Sequence, residues 1–501
     1  MPAGRSGFAT WAGFAAMCLG MFMAILDVQI VATSLPDIQQ ALAIPPDQMS
    51  WVQTAYLIAE VIAIPLTGLL MRALSMRWLF VVATGVFTLA SVGCALSQGF
   101  GSLIAWRVLQ GFAGGTLIPA VFAAVFLLFP PRSQAFATTL AGVVAVLAPT
   151  VGPIVGGWIT FTYSWHWLFL VNVVPGVVAV LVAAWLVPAA AAQLRQIRGV
   201  DWLSLAGMAL ALAALEIALK EAPTRGWLSP LVLDLMAVAV ISGAGFVRRS
   251  LRHAQPVVAL RSFTDLRFTV ACMLSFVLGI GLFGSTYLMP VFLSFVRDHS
   301  ALEIGTIMLV TGVAQLVIAP VAVLLEKRVP ARVLTAAGFA FFALGLGMSV
   351  FQTPRTDFDA MFWPQVVRGL AIMFCLLPPT RMALGHLAEA EVPDASGVFN
   401  LMRNLGGAIG LALIDTVIYA RGPVHAADLT ARLGAGDAAA ATFVGIPPAL
   451  LANGPPGPAQ QAMLAPLLEK ASLTLAINDA WLMMAVLTAL ALACIPFARQ
   501  R

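Results

Sequence analysis

The stretch from Leu103 to Trp158 contains two informative sequences, W-R-V-L-Q-G at 106–111 and A-P-T-V-G-P-I-V-G-G-W at 148–158. Arg107 is a single charge inside an apolar run. A charge within a membrane costs about 3 kcal/mol or more, so such residues are usually kept for function. The second sequence is rich in proline and glycine, which bend a helix and let backbones approach closely. We infer that the rest of the chain is organised around this pair of helices.

The composition indicates a membrane protein with many spans. Of the 501 residues, 61% are hydrophobic and only 10% are charged. Soluble domains have about 25% charged residues. The net charge of +5 reflects basic residues placed between apolar runs, so nucleic-acid binding is not expected.

The sequence carries no pattern typical of an enzyme or a metal site. The five cysteines lie in apolar runs without a C-x-x-C pair, and the five histidines are scattered. The patterns G-x-S-x-G, H-E-x-x-H and the nucleotide-binding P-loop do not occur. We therefore expect no enzymatic activity, no cofactor and no metal, and any pumping would draw on an ion gradient.

Hydrophobic runs of about 20 residues predict an all-α polytopic fold of about fourteen transmembrane helices. The predicted spans are 10–32, 51–71, 78–98, 102–128, 135–158, 166–188, 201–220, 229–248, 267–294, 303–325, 332–351, 358–386, 395–419 and 476–497. If the N-terminus is cytoplasmic, most of the 27 lysines and arginines lie in cytoplasmic segments. This distribution predicts that both termini are cytoplasmic.

The hydrophilic segments divide the chain into two halves with an insertion. We predict a six-helix bundle at 1–190, cytoplasmic linkers with an inserted helix pair at 191–260, and a second six-helix bundle at 261–501. The second bundle includes a predicted external loop at 421–475, rich in Ala, Gly and Pro, with a short helix around Pro458–Lys470.

The two halves show weak internal similarity, which is typical of secondary transporters. Arg107 is followed by Gly111 and Pro119, and Arg368 is followed by Gly369 and two prolines. Two related halves around a central cavity are therefore expected.

Acidic residues inside spans are candidates for proton or substrate binding. Asp27 lies in the middle of the first span and Glu60 in the second, and a carboxylate there needs a cavity or a partner. Gln110 lies one helical turn after Arg107, so the two share a face. Glu216 and Asp234, in the inserted pair, are expected to have structural or lipid-interface roles.

A second group of polar residues lies in the last third of the chain. Asn400 and Arg403 form a polar face on one helix. Two interpretations of this face are open: it holds neighbouring helices together, or it lines the cavity. Asp415, near the end of the same span, is open between a structural and a functional role.

Several motifs resemble the major facilitator superfamily, specifically its fourteen-helix drug:proton antiporter branch (the EmrB/QacA type). L-D-V-Q-I-V-A-T-S-L-P, at 26–36, resembles that branch's helix 1 signature, with Gln29 where Thr or Ser is usual. W-R-V-L-Q-G resembles the helix 4 motif and G-P-I-V-G-G the end of the helix 5 antiporter motif. N-L-M-R-N-L-G-G-A-I-G, at 400–410, resembles helix 13 of the branch. The resemblance covers essentially the whole chain.

The resemblance implies roles for particular residues. Arg107 would take part in proton transfer, and the helix 5 motif, associated with export, carries over to Pro149, Gly152, Pro153, Gly156 and Gly157. The 2–3 link departs from the family pattern G-x-L-[AS]-D-R-x-G-R-[RK], because Arg72 replaces its acidic residue and Ser75 its second glycine.

The sequence thus predicts a proton-coupled exporter of amphipathic drugs, working by alternating access in an inner membrane and conferring antibiotic resistance. Asp27, Glu60 and Arg107 would couple the proton, and Gln29, Gln110, Asn400, Arg403 and Asp415 would line the cavity or gate. Partners are the lipid bilayer, protons, small substrates and, as relatives imply, a periplasmic adaptor with an outer-membrane channel.

Two other functions stay open at this stage. The first is export of a dedicated fatty acid or biosynthetic product. The second is a non-transporting sensor or acyl-modifying membrane enzyme, which the two-half organisation disfavours.

Overall fold

The computed structural model describes residues 7–45, 48–188, 192–193, 200–253, 256–258, 260–447 and 458–497. All regular elements within these ranges are helices. Thirteen of them are long and apolar enough to cross a bilayer, and the bent pair Pro131–Pro149 and Val151–Thr162 provides a fourteenth span. The predicted all-α fold with about fourteen spans is confirmed.

The first six spans form one bundle. Two of them are composite, since the second contains a 3-10 turn at Ile64–Leu66 and the sixth is interrupted after Leu170. The bounds are α1 Gly7–Thr33, α2 Trp51–Leu74, α3 Met76–Ala95, α4 Phe100–Leu128, α5 Pro131–Thr162 and α6 His166–Leu186. A short helix, Leu35–Ala41, follows α1.

The remaining spans are the inserted pair and the second bundle. Their bounds are α7 Trp202–Arg225, α8 Pro230–Arg252, α9 Leu266–Phe295, α10 Ala301–Glu326, α11 Ala331–Gly347, α12 Phe358–Leu384, α13 Val392–Gly434 and α14 Pro458–Leu490.

The two bundles use the same helix pairing. In the first, α1 packs on α5 and α6, α4 lies between α2 and α3, and α3 also contacts α6. The second repeats this order, with α9 on α13 and α14, α12 between α10 and α11, and α11 against α14. Each bundle buries its own apolar core. The repeated pairing makes equivalent positions in the two halves comparable.

Helix α5 lies at one contact between the halves, where it packs along α10. A Cβ atom added to Gly305 of α10 would overlap the side chain of Ile154 on α5. The two helices therefore touch through a position where only glycine fits.

A second contact between the halves involves the start of α13. Ser396 donates a hydrogen bond of 2.8 Å to the carbonyl of Pro119 in α4. Gly397 approaches the backbone of Ile64 in α2. The N-terminal turns of α13 are thus wedged against the first bundle.

The inserted pair lies beside this second contact. Helix α7 packs on α8 and also touches α2 and α13, whereas α8 is almost entirely exposed on its outer faces. Asp234 is exposed on α8 and Glu216 is half-buried on α7. The insertion thus contacts both bundles mainly through α7.

Much of the segment 421–475, predicted as a loop with a short helix around Pro458–Lys470, is helical where the structure describes it. Helix α13 has 43 residues, so it is about 64 Å long, roughly twice the thickness of the hydrocarbon core. Helix α14 begins at Pro458, and Ala438–Val444 forms a short helix between them. Alanine-rich sequence favours helix outside the membrane, and Leu429, Val444 and Ala471 share a small apolar core there.

Candidate functional site

Asp27 and Arg107, two of the predicted proton-coupling residues, form an ion pair in the structure. Nη1 of Arg107, on α4, lies 2.5 Å from Oδ2 of Asp27, on α1, and both side chains are fully buried. Removing an ion pair from water is costly, and hydrogen bonds to its remaining atoms offset part of that cost. The hydrogen bonds from neighbouring side chains therefore decide whether the buried pair is stable.

Two amide side chains complete the coordination of the Asp27 carboxylate. Its Oδ1 accepts hydrogen bonds from Gln110 at 3.0 Å and from Asn172 at 2.8 Å. Gln110 also accepts a bond of 2.7 Å from Arg107 and donates one of 2.9 Å to Ser91. Helices α1, α3, α4 and α6 thus meet at one polar network inside an apolar bundle, which we call the Asp27 network.

The guanidinium of Arg107 is held on its other sides by α2. Its Nε donates to the carbonyl of Val52 at 3.0 Å, and its carbon lies 4.4 Å from the ring centre of Tyr56. A cation over an aromatic face gains about 0.5–2 kcal/mol. Its Nη2 is buried and has no hydrogen-bond partner in the described part of the chain.

This arrangement is chemically suited to proton exchange. Asp27 is held by one cation and two neutral amides, so protonation would remove the charge attraction but leave partners for a neutral carboxyl group. Arg107 would then lose its counter-ion and favour a different set of contacts. Addition of one proton can thereby change the packing between four helices.

Two members of this network, Asn172 and Ser91, and the neighbouring Tyr56 could not be identified from the sequence. Asn172, Ser91 and Tyr56 are uncharged and lie within apolar runs. The position of Asn172 within an apolar span is nevertheless a sequence signal, because a buried amide needs hydrogen-bond partners. In the structure Asn172 is 1% exposed.

Glu60 is buried but stands apart from the Asp27 network. It is 7% exposed on α2, and no hydrogen bond or ion pair of its side chain is found within the described ranges. Helix α2, which carries Glu60, packs on α4 and also touches the inserted helix α7 and α13. Glu60 is therefore positioned between the first bundle, the inserted helix α7 and the second bundle.

The helix 5 motif contacts both halves. Helix α5 bends by 43° after Pro149, close to the second internal proline, Pro153. Gln29 of α1 packs directly on Gly152, where an added Cβ atom would overlap the Cβ of Gln29. Gln29 thus lies in the α1–α5 contact, outside the Asp27 network.

The last two motif glycines lie one turn further along α5. Gly156 is buried and Gly157 is half-buried. Their small size is consistent with the close packing of this helix end.

The polar residues of α13 form separate contacts. Arg403 donates to Asn400 at 2.5 Å, and its guanidinium lies 5.4 Å from the ring centre of Phe122 on α4. Arg403 therefore contacts the opposite half directly. Asp415 accepts a bond of 2.8 Å from Tyr287 on α9, so it lies within the second bundle.

Over the described residues, no group of three His, Cys, Asp or Glu side chains is placed to hold a metal ion.

Comparisons with known proteins agree with this architecture. A family model described as Major Facilitator Superfamily matches residues 17–411. The chain is 40% identical over 407 residues to the Colistin resistance protein EmrB of Acinetobacter baumannii, covering 81% of this chain and 80% of that protein. It is 27% identical over 410 residues to the Fatty acid resistance protein FarB of Neisseria gonorrhoeae, covering 81% and 80%.

A solved structure shows the same fold. The crystal structure of the human organic anion transporter MFSD10 (TETRAN) superposes with a TM-score of 0.60 over 97% of this chain and 100% of that chain, at 13% identity. The family match and the relative at 40% identity confirm the assignment made from the motifs. The chain belongs to the major facilitator superfamily and is similar to its EmrB-type export proteins.

Proposed function

We propose that this protein exports amphipathic small molecules across the inner membrane by alternating access, in exchange for protons. The observation that carries the proposal is the Asp27 network, a fully buried carboxylate bound by one arginine and two amides at the meeting point of four helices. The name of the relative from Acinetobacter baumannii supports a role in resistance to toxic compounds.

In this proposal Asp27 is the proton acceptor and Arg107 its counter-charge. Proton binding from the outside breaks the ion pair, and release to the inside restores it. Glu60 would assist, since it is buried on α2, a helix that contacts both halves. The bent helix α5 would slide along α10 as the halves rock.

Transport by purified protein in proteoliposomes tests the coupling. Asp27→Asn and Arg107→Ala should abolish export driven by a proton gradient, with expression and folding intact. Asp234→Asn is the matched control, because it removes an acid from a span but on an exposed face. Near-normal export by both network variants would refute the assignment.

Export of fatty acids is the second candidate, and the relative named Fatty acid resistance protein supports it. A substrate panel of lipophilic cations, weak-acid uncouplers and fatty acids distinguishes the two. Proton flux evoked by fatty acids alone would identify a dedicated exporter. Flux evoked by no compound would favour a non-transporting protein.

Both termini are proposed to face the cytoplasm, which places the extended ends of α13 and α14 outside. This helical extension, Ala438–Val444 included, is a candidate contact for a periplasmic adaptor leading to an outer-membrane channel. A cysteine at Thr442 should react with an impermeant reagent from the outside, and one at Arg328 should react from the inside. The reverse pattern would exclude this orientation.

A further inference from the structure

The second bundle contains a buried arginine without a carboxylate partner. Arg368 on α12 is 2% exposed. Its Nη1 lies 3.4 Å from Oγ of Ser349 and its Nη2 lies 3.1 Å from Sδ of Met289. A thioether is a weak acceptor, and no acidic side chain in the described ranges forms an ion pair with Arg368. The charge of this guanidinium is therefore poorly compensated by the protein.

Arg368 occupies the position in the second bundle that Arg107 occupies in the first. Both lie on the fourth helix of their bundle and contact an aromatic ring of the sixth. In the first bundle the ring centre of Phe169 lies 5.8 Å from the guanidinium of Arg107, and in the second that of Trp481 lies 4.7 Å from the guanidinium of Arg368.

The difference between the two halves lies on the first helix of each bundle. There, Arg107 meets the carboxylate of Asp27, whereas Arg368 meets Met289 on α9. The second bundle therefore has an arginine like that of the first bundle but no carboxylate where the first bundle has Asp27.

Further donors surround the same guanidinium. Gln365 lies one turn before Arg368 on the same face of α12 and is fully buried. Its Oε1 accepts a bond of 3.1 Å from Thr311, while its Nε2 has no partner among the described residues. Nε1 of Trp481 is likewise buried and unpartnered within those ranges. Each unpaired buried donor costs about 1–3 kcal/mol, and an uncompensated buried charge costs more.

We propose that Arg368, Gln365 and Trp481 form a binding site for a monovalent anion. The cation, the amide and the indole N–H supply charge and donors, and Met289 offers only a weak acceptor where the first bundle has the carboxylate of Asp27. The ligand is either a halide or the carboxylate of an acidic amphiphile. The site does not depend on proton coupling at Asp27, so it can be tested by binding alone.

Thermal unfolding of the purified protein, followed during titration at constant ionic strength, tests the proposal. Chloride, octanoate and neutral octanol are the probes. A ligand that binds only the folded state should raise the unfolding midpoint by about 2–4 °C at concentrations well above its Kd, and the rise should continue with the logarithm of the ligand concentration. Arg368→Gln should abolish this rise. Arg328→Gln, at an exposed arginine, should retain it.

Met289→Asp gives an independent reading, because it supplies an internal carboxylate like that of Asp27. This variant should unfold at a higher temperature than wild type without added anion and should no longer respond to anions. A response of wild type to chloride identifies a halide site, and a response to octanoate but not octanol identifies a carboxylate site. A flat wild-type response to both anions, or an equal response in Arg368→Gln, would overturn the proposal.

Discussion

Arg72 on α2 is ion-paired with Asp394 on α13, so the cation belongs to the first half and the acid to the second. In the family pattern the acid stands at the position of Arg72. This chain therefore has a cation at the position of the pattern's acid, and it pairs that cation with an acid of the second half. Gly68 makes the approach possible, because a Cβ there would lie 2.7 Å from the Cα of Asp394.

Reversing one charge of this pair should weaken the contact, and reversing both should restore it. Arg72→Asp places two carboxylates together and should lower export and the unfolding midpoint. The double variant with Asp394→Arg should recover most of both. A double-mutant cycle should give a coupling energy of about 0.5–3 kcal/mol. Arg328→Asp serves as a control for charge alone, and additive single effects would contradict a specific pair.

Ser75, which joins α2 to α3, stands where the family pattern has glycine and keeps a glycine-like backbone. Its φ is 71° and its ψ is 159°, a region that costs residues with a side chain about 1–3 kcal/mol. Its hydroxyl is also buried without a partner within the described ranges. Ser75→Gly should therefore raise the free energy of unfolding by about 1–2 kcal/mol, measured by thermal or denaturant unfolding.

Ser75→Ala separates the two causes. It removes the unpaired hydroxyl but keeps the Cβ atom in the strained region, so it should gain clearly less than the glycine variant. Equal gains for alanine and glycine would show that the backbone conformation is not the source of the strain.

The sequence predicted the charged part of the site because charges are conspicuous in apolar spans. Asp27 and Arg107 could be proposed as proton-coupling candidates in this way. The contributions of Asn172 and Ser91 depend on which faces of α6 and α3 point inward, and neutral residues in strongly apolar helices carry little periodic signal. The pairing of Arg72 with Asp394 spans 322 positions and follows only from the packing of the halves.

For the fold, the apolar runs predicted the spans but not the ends of the helices. The spans followed from apolar length, but the end of an apolar run marks the membrane surface and not the end of a helix. This is why α13 continues past the predicted boundary at 419 to Gly434.

The contact between α5 and α10 should depend on the absence of a side chain at Gly305. Gly305→Ala places a methyl group against Ile154, and overpacking of this kind costs about 1–3 kcal/mol. We expect lower export and a lower unfolding midpoint. Adding Ile154→Ala should restore export, because it removes the atoms that the new methyl group meets.

A glycine without close neighbours provides the control for the Gly305 substitution. A Cβ atom added to Gly422 would meet no atom within 4 Å among the described residues, so Gly422→Ala should leave export unchanged. If Ile154→Ala fails to rescue Gly305→Ala, the defect arises elsewhere than at this contact.

Asp201 links the inserted pair, and its effect on stability should depend on pH. It caps α7 through the backbone N–H of Ser204 and accepts two bonds, of 2.8 and 2.9 Å, from Arg249 at the end of α8. The bonds from Arg249, together with that from Ser204, hold the pKa of Asp201 below its usual value. A carboxylate with a lowered pKa in the folded state stabilises above its unfolded pKa of about 4, and this stabilisation is lost as the pH falls through the folded value.

Asp201→Asn keeps a good helix cap but removes the charge that Arg249 binds. At pH 7 the variant should therefore unfold about 1–3 °C below wild type. The difference should shrink as the pH is lowered towards and below 4, because wild-type Asp201 then becomes neutral as well. Glu389→Gln, at an exposed acid, should show no such convergence. A midpoint difference that stays constant from pH 7 to pH 3 would mean that the ion pair with Arg249 is not what Asp201 contributes.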